Sequence, residues 1–177
     1  MLTVLLGGAR SGKSALAIEV AARASTTVTY LATSPQIPGD DDLAERIATH
    51  RAERPSSWIT VEEQLDIATA LARVATDIVI VDCLTVWTGN MLHHGRDEAA
   101  VLADGDAAIS VIRGRGLQAI VVSNEVGLGI VPVNELAREY RDVLGRVNQR
   151  WVAAADQALF MAAGRAVPLT NPWELLR

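Results

Sequence analysis

One octet constrains the fold of this chain more than any other segment: Gly7-Gly8-Ala9-Arg10-Ser11-Gly12-Lys13-Ser14. It fits the pattern G-x-x-x-x-G-K-[ST], a glycine-rich loop whose backbone N–H groups surround phosphate. The apolar run Leu2–Leu6 precedes the octet, and good helix formers follow from 14 to 24. A strand, a loop and a helix in this order place a helix N-terminus against an anion. The octet therefore predicts a phosphate-binding loop after the first strand.

Lys13 is the only lysine in the chain, and the other fifteen Lys or Arg positions are all arginine. A compact ammonium can enter between the β- and γ-phosphates of a nucleotide, whereas a planar guanidinium has the wrong shape. Lys13 is therefore predicted to act in catalysis on a bound nucleoside triphosphate. The Ser14 hydroxyl is predicted to bind the Mg²⁺ that accompanies the nucleotide.

The size and composition of the chain restrict the class of protein. Its 177 residues are expected to form one P-loop nucleotide-binding catalytic domain, 1–177. A net charge of −5 disfavours a nucleic-acid-binding surface. The single Cys83 excludes an internal disulfide and suits a reducing compartment. No apolar stretch reaches the roughly 18–20 residues of a membrane span, and strand one begins too early for a signal peptide. We therefore expect a cytoplasmic protein that neither binds nucleic acid nor spans a membrane.

Apolar runs alternate with helical segments along the chain. The apolar runs are Leu2–Leu6, Val28–Ala32, Ile78–Val81, Ala119–Val122 and Ala158–Met161. The helical segments are 14–24, 41–53, 64–75, 98–113 and 134–155. This alternation is typical of an α/β fold with a mainly parallel sheet covered by helices on both faces. Trp58–Val61 could be an added strand or an edge piece. The loops Thr33–Asp42 and Asn124–Asn134 are expected at the carboxyl ends of strands, where ligands bind.

The segment 78–82 consists of four apolar residues followed by Asp82, which is the form of a Walker B strand. The aspartate of such a strand helps to hold Mg²⁺ near the phosphate-loop serine. The alternative is that Asp82 caps the following helix. Next to a phosphate loop, the metal-binding role is the favoured interpretation, so Ser14 and Asp82 form the predicted metal site.

His50 lies near the end of the predicted helix 41–53, shortly before Pro55, which limits the helix. One interpretation is a histidine that interacts with the negative end of the helix dipole. The other rests on three nearby arginines, which are Arg46, Arg51 and Arg54. Arginines can neutralise a phosphate while an imidazole attacks it. The residues alone leave both interpretations open.

Other charged groups also have structural explanations. Glu62-Glu63 is typical of a solvated surface, although one carboxylate could accept hydrogen bonds from a base or ribose. His93-His94 is expected at an exposed helix end, because neither histidine has a partner at metal-ligand spacing. The arginines of segment 134–155 are expected to form surface ion pairs or an oligomer contact, with a phosphate clamp as the alternative. They are Arg138, Arg141, Arg146 and Arg150.

Together these motifs resemble one family, the bifunctional adenosylcobinamide kinase/adenosylcobinamide-phosphate guanylyltransferases of cobalamin biosynthesis. The resemblance covers residues 2–162 and rests on the phosphate loop and four further pieces. These are Tyr30–Ser34; Arg46-Ile47 with His50 and Arg54-Pro55; Asp82–Thr85 with Trp87 and Asn90; and Asn124–Pro132, continued by Arg138, Arg141-Asp142, Gly145 and Asn148-Gln149. The Asn-Glu-Val-Gly loop and the His-x-x-x-Arg-Pro helix are the specific elements. Residues 95–118 and 170–177 match no part of the family pattern.

The resemblance implies two reactions. A γ-phosphoryl group passes from ATP or GTP to the aminopropanol hydroxyl of the corrinoid substrate, adenosylcobinamide. GMP from GTP is then joined to that phosphate through a covalent histidine intermediate, whose position here is His50. The implied nucleotide contacts are the phosphate loop, Thr33, Ser34, Pro35, Arg51, Ala52, Glu53, Arg54, Glu62 and Asp82. A RecA-like P-loop fold and a homo-oligomer such as a trimer are also implied.

Two rival functions are disfavoured and one stays open. A GTPase switch usually reads guanine through Asn-Lys-x-Asp, a motif that cannot exist when Lys13 is the only lysine. A RecA-like motor would need DNA-binding loops, for which an acidic chain of 177 residues leaves little room. A small-molecule P-loop kinase without nucleotidyl transfer stays the alternative, because it would not need His50. The residues do not identify a base for the corrinoid hydroxyl.

Overall fold

The computed structural model describes residues 1–35, 45, 48, 51–52 and 54–176. The strands in this part of the chain are β1 (Leu2–Gly7), β2 (Thr29–Ala32), β3 (Ile59–Glu62), β4 (Ile78–Asp82), β5 (Gln118–Val122), β6 (Gln157–Ala162) and β7 (Arg165–Pro168). They form one sheet in the order β3-β2-β4-β5-β1-β6-β7. All neighbouring strands are parallel except β6 and β7, which pair antiparallel.

Helices lie between the parallel strands along the chain, and a short helix follows β7. They are α1 (Lys13–Ala24), α2 (Ile67–Arg73), α3 (Leu84–His93), α4 (Glu98–Arg115), α5 (Glu135–Ala154) and α6 (Pro172–Leu175). Four of them begin at side chains that accept a hydrogen bond from a backbone N–H in the first turn, namely Asp66, Asp97, Asn134 and Asn171. Such N-caps stabilise a helix by satisfying one of its free N–H groups. Glu45, Ala48, Arg51 and Ala52 are helical as well.

The sheet separates two hydrophobic cores, because successive side chains of a strand point to opposite faces. On one face, Leu2 and Val4 of β1 pack in a cluster that includes Trp87 of α3 and Trp151 of α5. Residues of α2 and α4 complete this larger core. On the other face, Leu5 of β1 packs in a smaller cluster with apolar residues of α1. The predicted sheet with helices on both faces is confirmed.

The predicted elements match the observed ones closely. All five predicted strands are present, and the uncertain run at 58–61 forms the edge strand β3. The predicted segments 14–24, 64–75, 98–113 and 134–155 correspond to α1, α2, α4 and α5, and no end differs by more than three residues. Most of the predicted helix 41–53 lies outside the described residues. The predicted helical segments did not include α3 or α6, although a helix end was expected at His93-His94, where α3 ends, and β7 was not predicted.

The topology brings the predicted site residues to one edge of the sheet. The strands β1 to β6 run parallel, so their carboxyl ends lie at the same edge. The phosphate loop follows β1, Thr33 follows β2, Glu62 ends β3 and Asp82 ends β4. One strand, β5, separates β1 from β4. The loop that begins at Ser123 therefore emerges between the phosphate loop and Asp82.

Candidate active site

Two glycines give the phosphate loop its shape. Gly7 has φ +148°, and a Cβ at this position would lie 2.2 Å from the carbonyl oxygen of Met161 on the neighbouring strand β6. Gly12 has φ +96° in the left-handed region and is the N-cap of α1. Side chains are strained at such φ values. A hydrogen bond from outside also fixes the loop, since the Gly164 N–H donates to the Ser11 carbonyl oxygen at 3.0 Å.

Lys13 is buried within this loop, with 5% of its surface exposed. Its Nζ donates to the carbonyl oxygens of Gly7 at 3.0 Å and Gly8 at 2.7 Å, and to the Ser11 hydroxyl at 3.2 Å. Desolvation lowers the pKa of Lys13, and the neighbouring Cys83 and Asp82 oppose that shift. The Lys13 ammonium is therefore within electrostatic range of the Asp82 carboxylate at the end of β4. The metal site of Ser14 and Asp82 stays a prediction.

Asp82 lies opposite Ala32 in the pairing of β4 with β2. Its carboxylate accepts a hydrogen bond from the phenol of Tyr30, a buried residue of β2. The Arg54 guanidinium lies over the Tyr30 ring, with its Cζ 3.5 Å from the ring centroid. Burial of the phenol is the main cause that raises the pKa of Tyr30, and the nearby Asp82 charge raises it further. The phenol therefore stays a hydrogen-bond donor. The N-cap of α3 is Cys83, without a side-chain hydrogen bond, so Asp82 does not serve as the helix cap.

Thr33 joins the ends of β2 and β4. Its hydroxyl donates to the Cys83 carbonyl oxygen at 2.8 Å and accepts from the Cys83 N–H at 2.9 Å. The Thr33 carbonyl accepts from the Asn90 side chain at 2.8 Å. Cys83 is partly exposed as a whole residue. Desolvation of its thiol, with a smaller contribution from the negative charge of Asp82, raises its pKa to about 11. A buried Thr33 that bonds to both the N–H and the carbonyl of Cys83 fixes the backbone beside Asp82.

The end of β5 is tied to both neighbouring strands. The Asn124 N–H donates to the Thr85 hydroxyl at 2.7 Å, which connects β5 to the start of α3. Asn148 of α5 accepts from the Ser123 hydroxyl at 2.6 Å and donates to the Asn124 carbonyl at 3.0 Å. On the other side, the Glu125 N–H donates to the Gly7 carbonyl oxygen at 3.1 Å. The segment after β5 is therefore part of the phosphate-loop scaffold.

The remaining predicted nucleotide contacts lie at the far side of the same edge. Arg51 Nη2 pairs with Glu62 Oε1 at 2.8 Å, so one of the two adjacent glutamates has a definite cationic partner. The neighbouring Glu63 accepts from the backbone N–H groups of Leu65 and Asp66 and thus shapes the turn before α2. Ser34 and Pro35 are partly exposed beyond β2, and Ala52 is exposed. His50 and Glu53 lie outside the described residues, so their predicted roles stay predictions.

The interpretation of the other polar groups as surface features is supported. Arg141, Arg146 and Arg150 form ion pairs with Asp142, Glu98 and Asp106. Arg138 differs, because it donates to the carbonyl oxygens of Pro132 at 3.0 Å and Val133 at 2.6 Å. It therefore holds the loop in front of α5. His93 ends α3 and His94 is its C-cap, and both are exposed.

Three functional-site residues were absent from the predicted list of site residues: Tyr30, Thr85 and Glu125. All three occur within the family-like segments, which was the available signal. Their roles come from contacts between distant parts of the chain, since Tyr30 and Asp82 are separated by 52 residues. Glu125 takes part through its backbone N–H, and a backbone contact cannot be predicted from the type of residue. Pairing of strands, and not a local motif, creates these contacts.

The donor set is compatible with Mg²⁺ beside a phosphate chain. Within the described residues, no group of three or more His, Cys, Asp or Glu side chains could hold a metal ion. Mg²⁺ at nucleotide sites uses one or two protein ligands, with phosphate oxygens and water completing the shell. The Asp82 carboxylate lies in the electrostatic field of Lys13, and Ser14 follows Lys13 directly. A hydroxyl and a carboxylate are oxygen donors of the type that this ion prefers.

The phosphate loop, the parallel sheet and an aspartate two strands away define a RecA-like P-loop nucleotide-binding protein. Two solved structures support the fold. The RadB recombinase has a TM-score of 0.53 and 18% identity, with coverage of 90% of this chain and 73% of that chain. An ATPase from the type III secretion system of pathogenic bacteria has a TM-score of 0.53 and 14% identity, with coverage of 94% and 56%. These likenesses confirm the predicted fold class.

The chain belongs to the family described as cobinamide kinase / cobinamide phosphate guanyltransferase, whose model matches residues 3–169. The bifunctional adenosylcobalamin biosynthesis protein CobP of Pseudomonas aeruginosa is 40% identical over 171 residues, covering 96% of this chain and 97% of that protein. The corresponding protein CobU of Escherichia coli K12 is 37% identical over 183 residues, covering 96% and 99%.

Membership confirms the family and the class of enzyme predicted from the sequence, a P-loop transferase of cobalamin biosynthesis with kinase and guanylyltransferase activities. Among the described helices, none combines the length and apolar character that crossing a bilayer requires.

Proposed function

We propose that this chain phosphorylates adenosylcobinamide and then transfers GMP from GTP to the resulting phosphate, giving adenosylcobinamide-GDP and pyrophosphate. The observation that carries the proposal is the position of Lys13, whose buried ammonium lies inside the phosphate loop and within the electrostatic influence of Asp82. In both reactions a phosphate chain bears the developing negative charge. A fixed ammonium and backbone N–H groups stabilise that charge without reorganisation.

In the kinase reaction, the aminopropanol hydroxyl attacks the γ-phosphorus of ATP or GTP. The new O–P bond forms as the bond to the β-phosphate oxygen breaks, and the hydroxyl proton leaves. Lys13 and the phosphate-loop N–H groups hold the leaving diphosphate. A phosphate oxygen entering the loop would replace the Gly7 and Gly8 carbonyls as partners of the Lys13 ammonium.

For the second reaction we propose that His50 carries GMP. A neutral imidazole nitrogen attacks the α-phosphorus of GTP, forming an N–P bond as pyrophosphate leaves. The phosphate oxygen of adenosylcobinamide phosphate then attacks the same phosphorus, and the N–P bond breaks. Support comes from two arginines that follow this position in the sequence. Arg51 pairs with Glu62, and Arg54 covers Tyr30, which bonds to Asp82.

The proposed nucleotide site extends the phosphate loop along the strand ends. Its members are Gly7, Gly8, Ala9, Arg10, Ser11, Gly12, Lys13 and Ser14, with Thr33, Ser34, Pro35, Arg51, Ala52, Glu53, Arg54, Glu62 and Asp82. Ser14 and Asp82 would hold Mg²⁺, which when bound neutralises charge on the phosphate oxygens. Glu62 and Arg51 lie on the side of the sheet away from the phosphate loop, where a nucleoside can extend.

The same proposal includes the setting in which the enzyme acts. Its nucleoside triphosphate substrates favour the cytoplasm, with residues 1–177 acting as one catalytic domain. A homo-oligomer, such as a trimer, is supported by apolar side chains exposed in the C-terminal segment. Leu169 is 39% exposed, Trp173 75% and Leu176 74%. Side chains of this kind favour contact with another chain.

Covalent labelling tests the GMP-transfer step. The protein is incubated with α-labelled GTP, and the expected product is an acid-labile, base-stable phosphoramidate. His50→Ala should abolish the label and GMP transfer but keep kinase activity with ATP. His94→Ala is the matched control, because this exposed histidine lies at the end of α3 and should leave the label unchanged. Label that persists in His50→Ala excludes His50 as the carrier. Intact kinase activity in a wild-type protein that takes no label identifies a monofunctional kinase.

A further inference from the structure

An apolar cleft lies between the C-terminal half of α3 and the start of α5, beside the nucleotide site. Its volume is about 450 Å³. Gly89 and Leu92 line it from α3, and Leu136 and Tyr140 line it from α5. His93 and Asn134 add polar groups to this lining. A cavity with mostly apolar walls and few polar groups is the usual form of a site for an organic ligand.

The cleft is connected to the strand ends that carry the nucleotide site. The Tyr140 hydroxyl donates to the Thr85 carbonyl oxygen at 3.2 Å. The Thr85 side chain in turn accepts from the backbone of Asn124. Gly89 follows Thr85 by four residues in α3, a distance of about 6 Å along the helix. A ligand in the cleft therefore lies within reach of groups bound at Asp82.

An exposed apolar loop, residues 126–133, runs from the phosphate loop to the cleft. It begins after Glu125, whose N–H donates to the Gly7 carbonyl oxygen, and ends at Asn134 in the cleft wall. Its large side chains face outward, with Leu128 80%, Ile130 97% and Val133 96% exposed. Contiguous exposed apolar side chains of this kind mark binding surfaces.

We propose that the cleft and loop 126–133 form the acceptor site and bind the apolar parts of the cobinamide macrocycle. This inference rests on the proposed function, which requires cobinamide near the phosphate loop. Methyl and methylene groups at the edge of the corrin ring fit the cleft walls, and its amide side chains fit His93 and Asn134. The cleft takes one edge of the macrocycle, the loop contacts further apolar surface, and the aminopropanol arm extends to the phosphate loop.

Gly89 permits a direct test because it lies at the cleft wall within a helix. A Cβ there would meet Tyr140 Cε2 at 3.7 Å, an ordinary contact, so a longer side chain enters the cleft. Leucine also forms helices better than glycine. We expect Gly89→Leu to raise KM for adenosylcobinamide in the ATP-dependent kinase assay by about tenfold or more, as one methylene alone can change binding that much.

Covalent labelling of the protein by GTP serves as the comparison for the kinase assay. Covalent labelling with GTP alone needs no acceptor, so Gly89→Leu should retain it. Gly114→Leu in α4 is the matched control, since a Cβ at Gly114 meets nothing within 4 Å. It should leave both measurements unchanged. An unaltered KM for adenosylcobinamide in a folded Gly89→Leu protein overturns the acceptor site. Loss of labelling in the wild type instead contradicts the histidine mechanism, while the kinase comparison still tests the cleft.

Surface variants keep the inference testable if Gly89→Leu does not fold. Leu136→Ser and Ile130→Ser change side chains that are 66% and 97% exposed, so folding should persist. Both should raise KM for adenosylcobinamide several-fold with an unchanged molar mass in light scattering. If they lower the oligomeric state and leave that KM unchanged, the loop contacts a second copy of the chain and the acceptor proposal is wrong.

Discussion

The phenol of Tyr30 donates a hydrogen bond to the carboxylate of Asp82 across the neighbouring strands β2 and β4. Tyr30 is 1% exposed, and the Arg54 guanidinium covers its ring. The bond therefore fixes the orientation of the Asp82 carboxylate, the proposed magnesium ligand. The contact of Arg54 with the Tyr30 ring brings a residue four positions after His50 to the same side chain. One side chain thus serves two parts of the proposed site.

We predict that Tyr30→Phe weakens the Mg²⁺ dependence of catalysis without unfolding the protein. Groups that orient a metal ligand typically change metal affinity by about 10- to 100-fold. The Mg²⁺ concentration at half-maximal kinase activity should therefore rise about tenfold. Tyr140→Phe, assayed at saturating adenosylcobinamide because Tyr140 lines the proposed acceptor cleft, is the matched control, since its hydroxyl bonds to a backbone carbonyl and not to Asp82. An equal Mg²⁺ dependence in wild type and Tyr30→Phe would contradict the orienting role.

Lys13→Arg should lose both activities although it keeps the positive charge. The buried ammonium bonds to three oxygen atoms of its own loop, and a planar guanidinium cannot occupy that space. We expect kcat to fall by at least about 100-fold, the effect of removing a fixed stabilising donor. Lys13→Met should be equally inactive. Substantial activity in Lys13→Arg would show that charge alone is sufficient.

The same lysine predicts a conflict between stability and activity. Desolvation lowers the pKa of Lys13, so burial of its charged form opposes folding. Lys13→Met replaces it by an apolar side chain of similar length. Urea denaturation should therefore give a free energy of unfolding for Lys13→Met no lower than that of the wild type. A clear loss of stability would mean that the ammonium bonds to Gly7 and Gly8 outweigh desolvation.

Gly7 and Gly8 should respond differently to alanine. A Cβ at Gly7 would lie 2.2 Å from a backbone oxygen of Met161, and its φ of +148° disfavours side chains. We expect Gly7→Ala to lower the free energy of unfolding by about 2–5 kcal/mol, from backbone strain and overpacking. Gly8→Ala, with nothing within 4 Å, should change it by less than about 0.5 kcal/mol. Urea denaturation measures both, and equal losses would contradict the predicted difference.

Asp156 should make stability depend on acid pH. Its carboxylate accepts from the Leu2 N–H at 2.6 Å and from Arg113 at 2.9 Å, and these bonds lower its pKa below the ordinary 3.8. A depressed pKa in the folded state stabilises the protein above pH 3.8, and this stabilisation is lost as pH falls through the folded pKa.

Asp156→Asn should therefore unfold at a lower temperature than wild type at pH 7. The difference should shrink as pH falls below about 4, because the unfolded state then binds a proton at Asp156, and it should be lost as pH falls through the lower pKa of the folded state. Thermal unfolding followed by circular dichroism over this pH range measures it. A difference that stays constant with pH would show that Asp156 acts without its charge.

Local patterns were sufficient for much of the fold. The strand before Gly7, the helix after Lys13 and the apolar run ending at Asp82 each have a short-range signature, and all are present. The helix α3 was not predicted because three β-branched residues and Gly89 lie within it and lower its helix propensity. Its apolar stripe, Leu84, Trp87 and Met91, has helical spacing and was the available signal.

Long-range contacts account for what the sequence interpretation lacked. The Tyr30–Asp82 bond depends on which strands are neighbours, and the Glu125–Gly7 bond depends on β5 lying beside β1. The short strand β7 was not predicted because its residues are exposed and include Pro168, so no alternating apolar pattern marks it. The role of His50 is still a prediction from its motif and its arginine neighbours.

The bond from Gly164 to Ser11 joins the turn between β6 and β7 to a loop formed by residues near the start of the chain. The order of synthesis gives this contact a biological meaning. The ribosome makes residues 7–14 some 150 residues before Gly164, which supplies a backbone support of that loop. A growing chain therefore lacks this contact until the turn between β6 and β7 has been made. A phosphate loop with all of its described supports forms only after that turn has folded onto it.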